Sequence, residues 1–181
     1  MTNAKQTEVY SNLSIKTHRL ILRPIHENDI DDINNNFTPK VTEFMPFNPT
    51  GDKNEVIHFV ESSKKGLIMK TDIVFVILDH KEQFIGCCGI HNINPVSVEV
   101  GLWLKEDSQS QGFGSEVIIS LIAFIERYFS IEYIMYPVDK ENVRSRKISE
   151  KLGFTAFKTY TKQKNESANL DIIEYRKCYT K

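Results

Sequence analysis

One stretch limits what this chain can fold into more than any other: GFGSEVIISLIAFIERYF, beginning at Gly112. Between Val117 and Phe129 it carries so much apolar side chain that a helix made from it has no broad polar face to turn to water. Such a helix must be covered over much of its circumference, and the preceding sequence supplies a sheet to cover it. IVFVILD (73–79) and QFIGCCGI (from 83) are rich in β-branched and aromatic residues and are joined by the turn HKE, which predicts a β-hairpin. SVEVGLWL (97–104) follows the turn NINP and alternates, with Val98, Val100 and Leu102 on one face and Glu99, Gly101 and Trp103 on the other. A three-strand meander packed under a buried helix is therefore the predicted centre of the fold.

The flanks fit around it. RLILRPI alternates and ends at Pro24, which would remove a ladder hydrogen bond from a central strand and so marks the strand's end. HENDIDDINNNF suits a short helix with anionic N-terminal residues, and residues 34–49 read as loop. From Asp52, DKNEVIHFVESSKKGL puts Val56, Phe59 and Val60, with Ser63 and Leu67, on one helical face and offers Gly66 as a C-cap. YIMYPV (133–138) is a further strand, ENVRSRKISEKLGF (141–154) a capped amphipathic helix stopped at Gly153, and 155–164 and 170–179 two terminal strands. With 181 residues and no linker or repeat, a single core is expected: a flexible segment over 1–12, then one domain over 13–181.

Composition excludes several classes of function. Formal net charge is −1, so no global field favours a polyanion, and only short basic clusters such as RSRK occur; nucleic acid is not the expected partner. The three cysteines, Cys87, Cys88 and Cys178, are odd in number and two are adjacent, which argues against a disulfide framework or a four-cysteine zinc site and for a cytoplasmic setting. No run of about 18 apolar residues and no signal-like N-terminus is present, so membrane spanning and secretion are not expected. No metal is expected.

The chemistry concentrates where the strand over 97–104 meets the buried helix. The polar loop KEDSQSQ leads into Gly112, Phe113 and Gly114. A helix start offers unpaired N–H groups and the positive end of the helix dipole, and glycine lets a phosphate approach the backbone. A lone G-x-G is as readily a tight turn. The third residue after Gly114 is Val117, so the dinucleotide fingerprint G-x-G-x-x-G is incomplete, and neither glycine is followed by a P-loop lysine.

Gln109, Gly112 and Gly114 match the Q/R-x-x-G-x-G/A motif of the GNAT superfamily of N-acetyltransferases, and ENVRSRKISEKLGF follows as a second signature of that family. The chain thus resembles the superfamily over 97–155. RLILRPIHENDIDDI also looks like the opening of the subgroup containing ribosomal-protein N-terminal (alanine/serine) acetyltransferases. The resemblance implies an α+β fold, a mostly antiparallel sheet of about seven strands flanked by about four helices. It implies acetyl transfer from acetyl-CoA to a primary amine, a protein N-terminus or a small amine, by direct attack in a ternary complex; a non-catalytic acyl-CoA-binding or regulatory module is the alternative. A homodimer is a family-level expectation.

Residue by residue, the resemblance places the coenzyme A pyrophosphate on the amides of Gln111, Gly112, Phe113, Gly114 and Ser115, with Gln109 as the motif's first position. It pairs the pantetheine arm with the backbone of Leu102, Trp103 and Leu104, an added strand needing no side-chain specificity, and it sets Asn142 against the cofactor from across the cleft, a residue that would also serve as a helix cap. Glu99 is the candidate base, directly or through water, against the alternative of a solvent-facing strand charge. Where many members have the acidic tyrosine this chain has Ser149, so Ser145 becomes the candidate acid and Tyr136 its backup. Arg144, Arg146 and Lys147 read as solvated helix charges, with contact to the coenzyme's phosphates as the alternative; His91, ending a strand near the presumed cleft, reads as a structural or loop histidine, with assistance to proton transfer as the alternative; and Cys87 and Cys88 read as buried apolar residues. Specificity is expected from 41–67, which holds FMPFNPT, and from a hairpin near 162–168.

Overall fold

The computed structural model describes residues 13–179; the segment 1–12, read above as flexible, lies outside the described residues. Eight strands form one sheet: β1 (Ile15–Lys16), β2 (Leu20–Pro24), β3 (Ile73–Asp79), β4 (Phe84–His91), β5 (Ser97–Leu104), β6 (Tyr133–Asp139), β7 (Thr155–Asn165) and β8 (Ala168–Cys178). Their spatial order is β1-β2-β3-β4-β5-β6-β8-β7. The strand beyond the seven expected is the two-residue β1, too short to show a period. Four α-helices flank the sheet: α1 (Ile30–Asn36), α2 (Lys53–Met69), α3 (Phe113–Tyr128) and α4 (Val143–Lys151).

The helices take opposite faces. Val117, Ile118, Leu121 and Ile125 of α3 are buried against Phe75, Ile90, Val98, Val100 and Ile134, and Ile148 of α4 and Leu152 just past its end join the same cluster. Ile33 of α1 and Val60 of α2 pack on the other face against Val74, Val76, Cys87 and Trp103. Strand alternation makes this sorting possible, since neighbouring residues of β3 serve different cores. The first helix is anchored by Asp29, buried and capping His26 N–H at 2.7 Å, which receives Arg23 through two hydrogen bonds of 2.6 and 2.8 Å.

Two helix boundaries differ from the sequence reading. α2 runs through Gly66 to Met69 and ends on Lys70 in the left-handed conformation. Gly66 is a packing residue: a Cβ there would stand 2.9 Å from Asp72 Cβ. α4 starts two residues into the predicted 141–154 segment, at Val143, and Gly153 follows it at φ 80° as the stop signal implied.

All neighbouring strands are antiparallel except β5 and β6, and that pair defines the site. They are parallel and paired only at Ser97↔Tyr133, Val98↔Ile134 and Glu99↔Met135, after which they separate. Pro137 lies two residues past the last pair and has no N–H to offer a neighbour. From Val100 to Leu104, β5 is therefore paired on its β4 side alone.

Candidate active site

The separation of β5 and β6 opens into a cavity of about 1130 Å³ whose wall includes Glu99, Gly101, Leu102 and Trp103 of β5, Tyr136 of β6, and Asn142 and Ser145 at the start of α4. Phe37, Phe44, Met45 and Phe47, from the end of α1 and the following loop, give it an apolar side, and Tyr160 and Lys162 of β7 reach it from beyond β8. The expected specificity segments are thus parts of the wall. Lys164 ties them together by donating to the carbonyls of Thr42 and Glu43 at 2.7 and 2.5 Å.

At the far end of β5 the chain turns through a short 3-10 segment, Glu106–Ser108, into the loop before α3. Ser110 and Gly112 both have positive φ, 62° and 82°, which twists the loop so that successive amides lie side by side ahead of the helix. The amides of Gln111, Gly112, Phe113, Gly114 and Ser115 have no hydrogen-bond partner among the described residues. Five such groups at the positive end of a 16-residue helix make an anion site by geometry alone.

The loop is braced from outside. Arg19, just before β2, donates from Nε to Glu116 Oε2 at 2.7 Å and from Nη1 to the Gln111 carbonyl at 2.9 Å, and its guanidinium covers the Phe113 ring at 4.5 Å. Glu116 also accepts from Thr17 Oγ1 and from the Arg19 amide. Burial works to raise the Glu116 carboxyl, but those hydrogen bonds outweigh it and hold the group below the usual carboxylate range.

The motif residues divide by role. Gly112 supplies the left-handed turn. Gly114 lets two helices approach, since a Cβ there would stand 3.1 Å from Ile148 Cδ1 of α4 and 3.6 Å from Leu102 Cδ1. Gln109 is a staple, donating to the Leu104 carbonyl at 3.1 Å and accepting from Arg144 Nη1 at 2.9 Å, so Arg144 is engaged rather than merely solvated. On β5 the cavity wall ends at Trp103 and stops short of Leu104, of Gln109 and of the whole Gln111–Ser115 turn. Leu102, Trp103 and Leu104 occupy the unpaired part of β5; the Trp103 ring is buried between Phe37 and Phe84.

Across the cleft, Asn142 is the N-cap of α4, its Oδ1 accepting from Ser145 N–H at 3.1 Å. The Ser145 hydroxyl lies close enough to the Tyr136 phenol to act on its proton affinity, so the two candidate acids are neighbours. Burial pushes the Tyr136 phenol up to about 12, and the Ser145 contact moderates the rise. Ser149, where the tyrosine was sought, is fully buried and donates to the Arg146 carbonyl at 2.8 Å, which removes it from the chemistry. Glu99 lies on the cavity wall and accepts from Asn92 Nδ2 at 3.2 Å. Its charge, after burial, helps to raise the Tyr160 phenol. Cys87 and Cys88 are buried and their thiols pushed up by desolvation, which leaves no thiolate for nucleophilic work.

Three contributors escaped the sequence reading. Gly101 faces the cavity with open space where a Cβ would stand; its place between Glu99 and Trp103 in the alternating strand was the available signal. Asp72 and Asn92 depend on a contact between the end of α2 and the end of β4 that no spacing announces. His91 lines the cavity and its Nδ1 meets Asp72 Oδ1, a contact open to a structural histidine and to one that handles protons.

The family model described as an acetyltransferase (GNAT) domain matches residues 19–155. The chain belongs to this family. It is accordingly an acetyl-CoA-dependent N-acetyltransferase by family, and the matched region takes in β2 through α4, including the starts of α3 and α4. No curated protein sequence matches. Among solved structures, the ribosomal L7/L12 α-N-protein acetyltransferase RimL in complex with coenzyme A is similar at 17% identity and TM-score 0.77, over 91% of this chain and 97% of that one. An acetyltransferase from Salmonella typhimurium that modifies the N-terminal serine of L7/L12 matches at 17% and 0.80, over 92% and 99%. Spermidine N-acetyltransferase from Vibrio cholerae, in complex with coenzyme A and spermine, matches at 20% and 0.77, over 88% and 95%. At these identities they share the fold of this acetyltransferase domain. Among the described residues there is no helix long and apolar enough to cross a membrane and no group of three metal-ligating side chains.

Proposed function

We propose that this acetyltransferase moves the acetyl group of acetyl-CoA to a primary amine, a protein N-terminus or a small amine, by direct attack in a ternary complex. One observation carries the reading: the β5–β6 separation starts at Glu99, faces the Ser145–Tyr136 pair, and runs alongside β5 towards the unpaired amides of α3. The residues present fit coenzyme A. The Gln111–Ser115 amides would hold a pyrophosphate, the free edge of β5 at Leu102–Leu104 an extended amide arm, and Asn142, whose Oδ1 is committed to its cap, would offer its side-chain N–H groups. When bound, acetyl-CoA supplies an activated acyl carbon.

The protein's own groups do the rest. Glu99 attracts and holds the incoming ammonium, whose proton leaves on this polar side of the cavity wall, directly or through water. Ser145, beside Tyr136, stands ready to protonate a departing thiolate, and burial keeps Tyr136 a proton donor across the neutral range. The structural neighbours named for a ribosomal protein N-terminus and for spermidine support an amine acceptor of either size. The test is an acceptor panel of peptides and small amines with acetyl-CoA consumption as readout. Thiol release matched by acetylated amine is expected; retention of coenzyme A with no amine consumed would leave only a binding module.

A further inference from the structure

The cavity wall holds a second polar pair beside the Glu99, Ser145 and Tyr136 set. His91 ends β4 and Asp72 lies in the turn between α2 and β3; both line the cavity, and His91 Nδ1 meets Asp72 Oδ1 at 3.2 Å. A carboxylate oxygen accepts, so Nδ1 carries a proton, and in the neutral ring Nε2 is the nitrogen with the lone pair. Asp72 is held in turn. Gly66 of α2 makes room for it, and the Asn92 amide donates to the same oxygen at 3.4 Å. Asn92, at a left-handed φ of 53°, also donates its side-chain amide to Glu99. Asp72, His91, Asn92 and Glu99 therefore form one connected network on the cavity wall.

The imidazole lies back over its own strand. Nε2 stands 2.3 Å from where a Gly89 Cβ would be, a position only glycine leaves open. Gly89 is the cross-strand partner of Gly101, and His91 of Glu99, so all four share one face of the sheet. Opposed Cβ positions lie about 5 Å apart. The unprotonated nitrogen thus overhangs the glycine floor, one residue pair along from the carboxylate that faces the amine.

Resting on the acetyltransferase reading and deepening it, we propose that His91, oriented by Asp72, receives the proton of the acceptor ammonium, and that Glu99 holds the ammonium for it. An imidazole is in general about two pK units more basic than a carboxylate, roughly a hundredfold in the equilibrium for taking an ammonium proton. The ammonium N–H bond breaks with its electron pair left on nitrogen, and the proton bonds to Nε2. That pair forms the new C–N bond to the acyl carbon while the C–S bond breaks. The thiolate sulfur gains a proton from the Ser145–Tyr136 pair, and the extra proton on the new amide nitrogen passes through solvent to that pair and restores it. One proton per turnover leaves from His91 to solvent. Asp72 is a positioning residue.

The charged and titratable groups sharing this space with His91 are Asp72 from the turn before β3, Cys87 and Cys88 from β4, Glu99 from β5, Asp52, Glu55 and His58 at and in α2, Tyr136 and Asp139 from β6, and Tyr160, Lys162 and Lys164 from β7. The test uses the full chain with acetyl-CoA and an alanine-initiated peptide or spermidine, whichever the wild type acetylates. His91→Gln is expected to lower kcat about 10²- to 10³-fold near neutral pH with acetyl-CoA affinity unchanged. The deficit should shrink below about tenfold at about two pH units above the acceptor's own pKa, where the amine arrives unprotonated. Asp72→Asn should show a smaller loss with the same convergence, and Glu99→Gln chiefly a raised acceptor KM. Wild-type kcat in His91→Gln, or a loss equal at every pH, would overturn the proposal. Failure of the wild type to acetylate either amine would instead overturn the acetyltransferase reading beneath it.

Discussion

Replacing Gly101 by valine should separate stability from binding, which most substitutions in a cleft confound. Gly101 sits mid-strand on β5, and a Cβ added there meets nothing within 4 Å, so the first atom of a new side chain carries no steric cost in the free protein. Valine also restricts the unfolded chain, worth about 0.5–1 kcal/mol, and suits a strand, on a scale spanning about 1 kcal/mol. The melting temperature should hold or rise by about 2–4 °C per kcal/mol gained. The new methyl groups stand on the floor of the cleft, however, where they lift an extended arm off the β5 edge. Two lost main-chain hydrogen bonds at about 0.5–1.5 kcal/mol each amount to roughly 5- to 150-fold in Kd. Thermal unfolding and calorimetric titration with acetyl-CoA read the two effects independently. A folded variant that binds acetyl-CoA as the wild type does would refute the placement of the acyl arm over Gly101.

Gly112→Val should weaken acetyl-CoA binding and also lower stability by about 1–3 kcal/mol, because a β-branched residue is strained at φ 82°; both are read by the same two assays. Tyr136, held protonated up to about 12, keeps its proton as pH rises and loses it only near that value, so kcat should show no alkaline decline from it below about pH 11; a decline near pH 10 abolished by Tyr136→Phe would contradict the burial argument. Asp29→Ala strips the buried partner from Arg23 and uncaps His26 N–H, and should cost about 2–4 kcal/mol, a fall of several degrees in melting temperature, with acetyl-CoA affinity retained.

Local pattern made much of the fold legible. The alternation in β2 and β5, the apolar run of α3 and the turns around the β3–β4 hairpin are each written within a dozen residues, and the structure places them accordingly. What local pattern cannot express is a relation between segments. The same G-x-G that reads as a phosphate turn divides into a backbone role at Gly112 and a helix-packing role at Gly114, and the second depends on Ile148. Gly66 reads as a stop signal because glycine so often ends helices, yet α2 continues past it since its task is to admit Asp72. His91 alone carries no more meaning than any strand-end histidine; its meaning comes from a carboxylate 19 residues earlier. Likewise the parting of β5 from β6 leaves only the indirect trace of Pro137.

The central claim is that the start of α3 and the edge of β5 form a coenzyme A cleft, and amide hydrogen exchange tests it at the atoms concerned. Gln111, Gly112, Phe113, Gly114 and Ser115 have amides with no partner among the described residues, so they should exchange rapidly in the free protein. Saturating coenzyme A should slow them at least about tenfold, in line with the few kcal/mol of charge-assisted bonding to a pyrophosphate. Bound coenzyme A with exchange at these five amides unchanged would contradict the account.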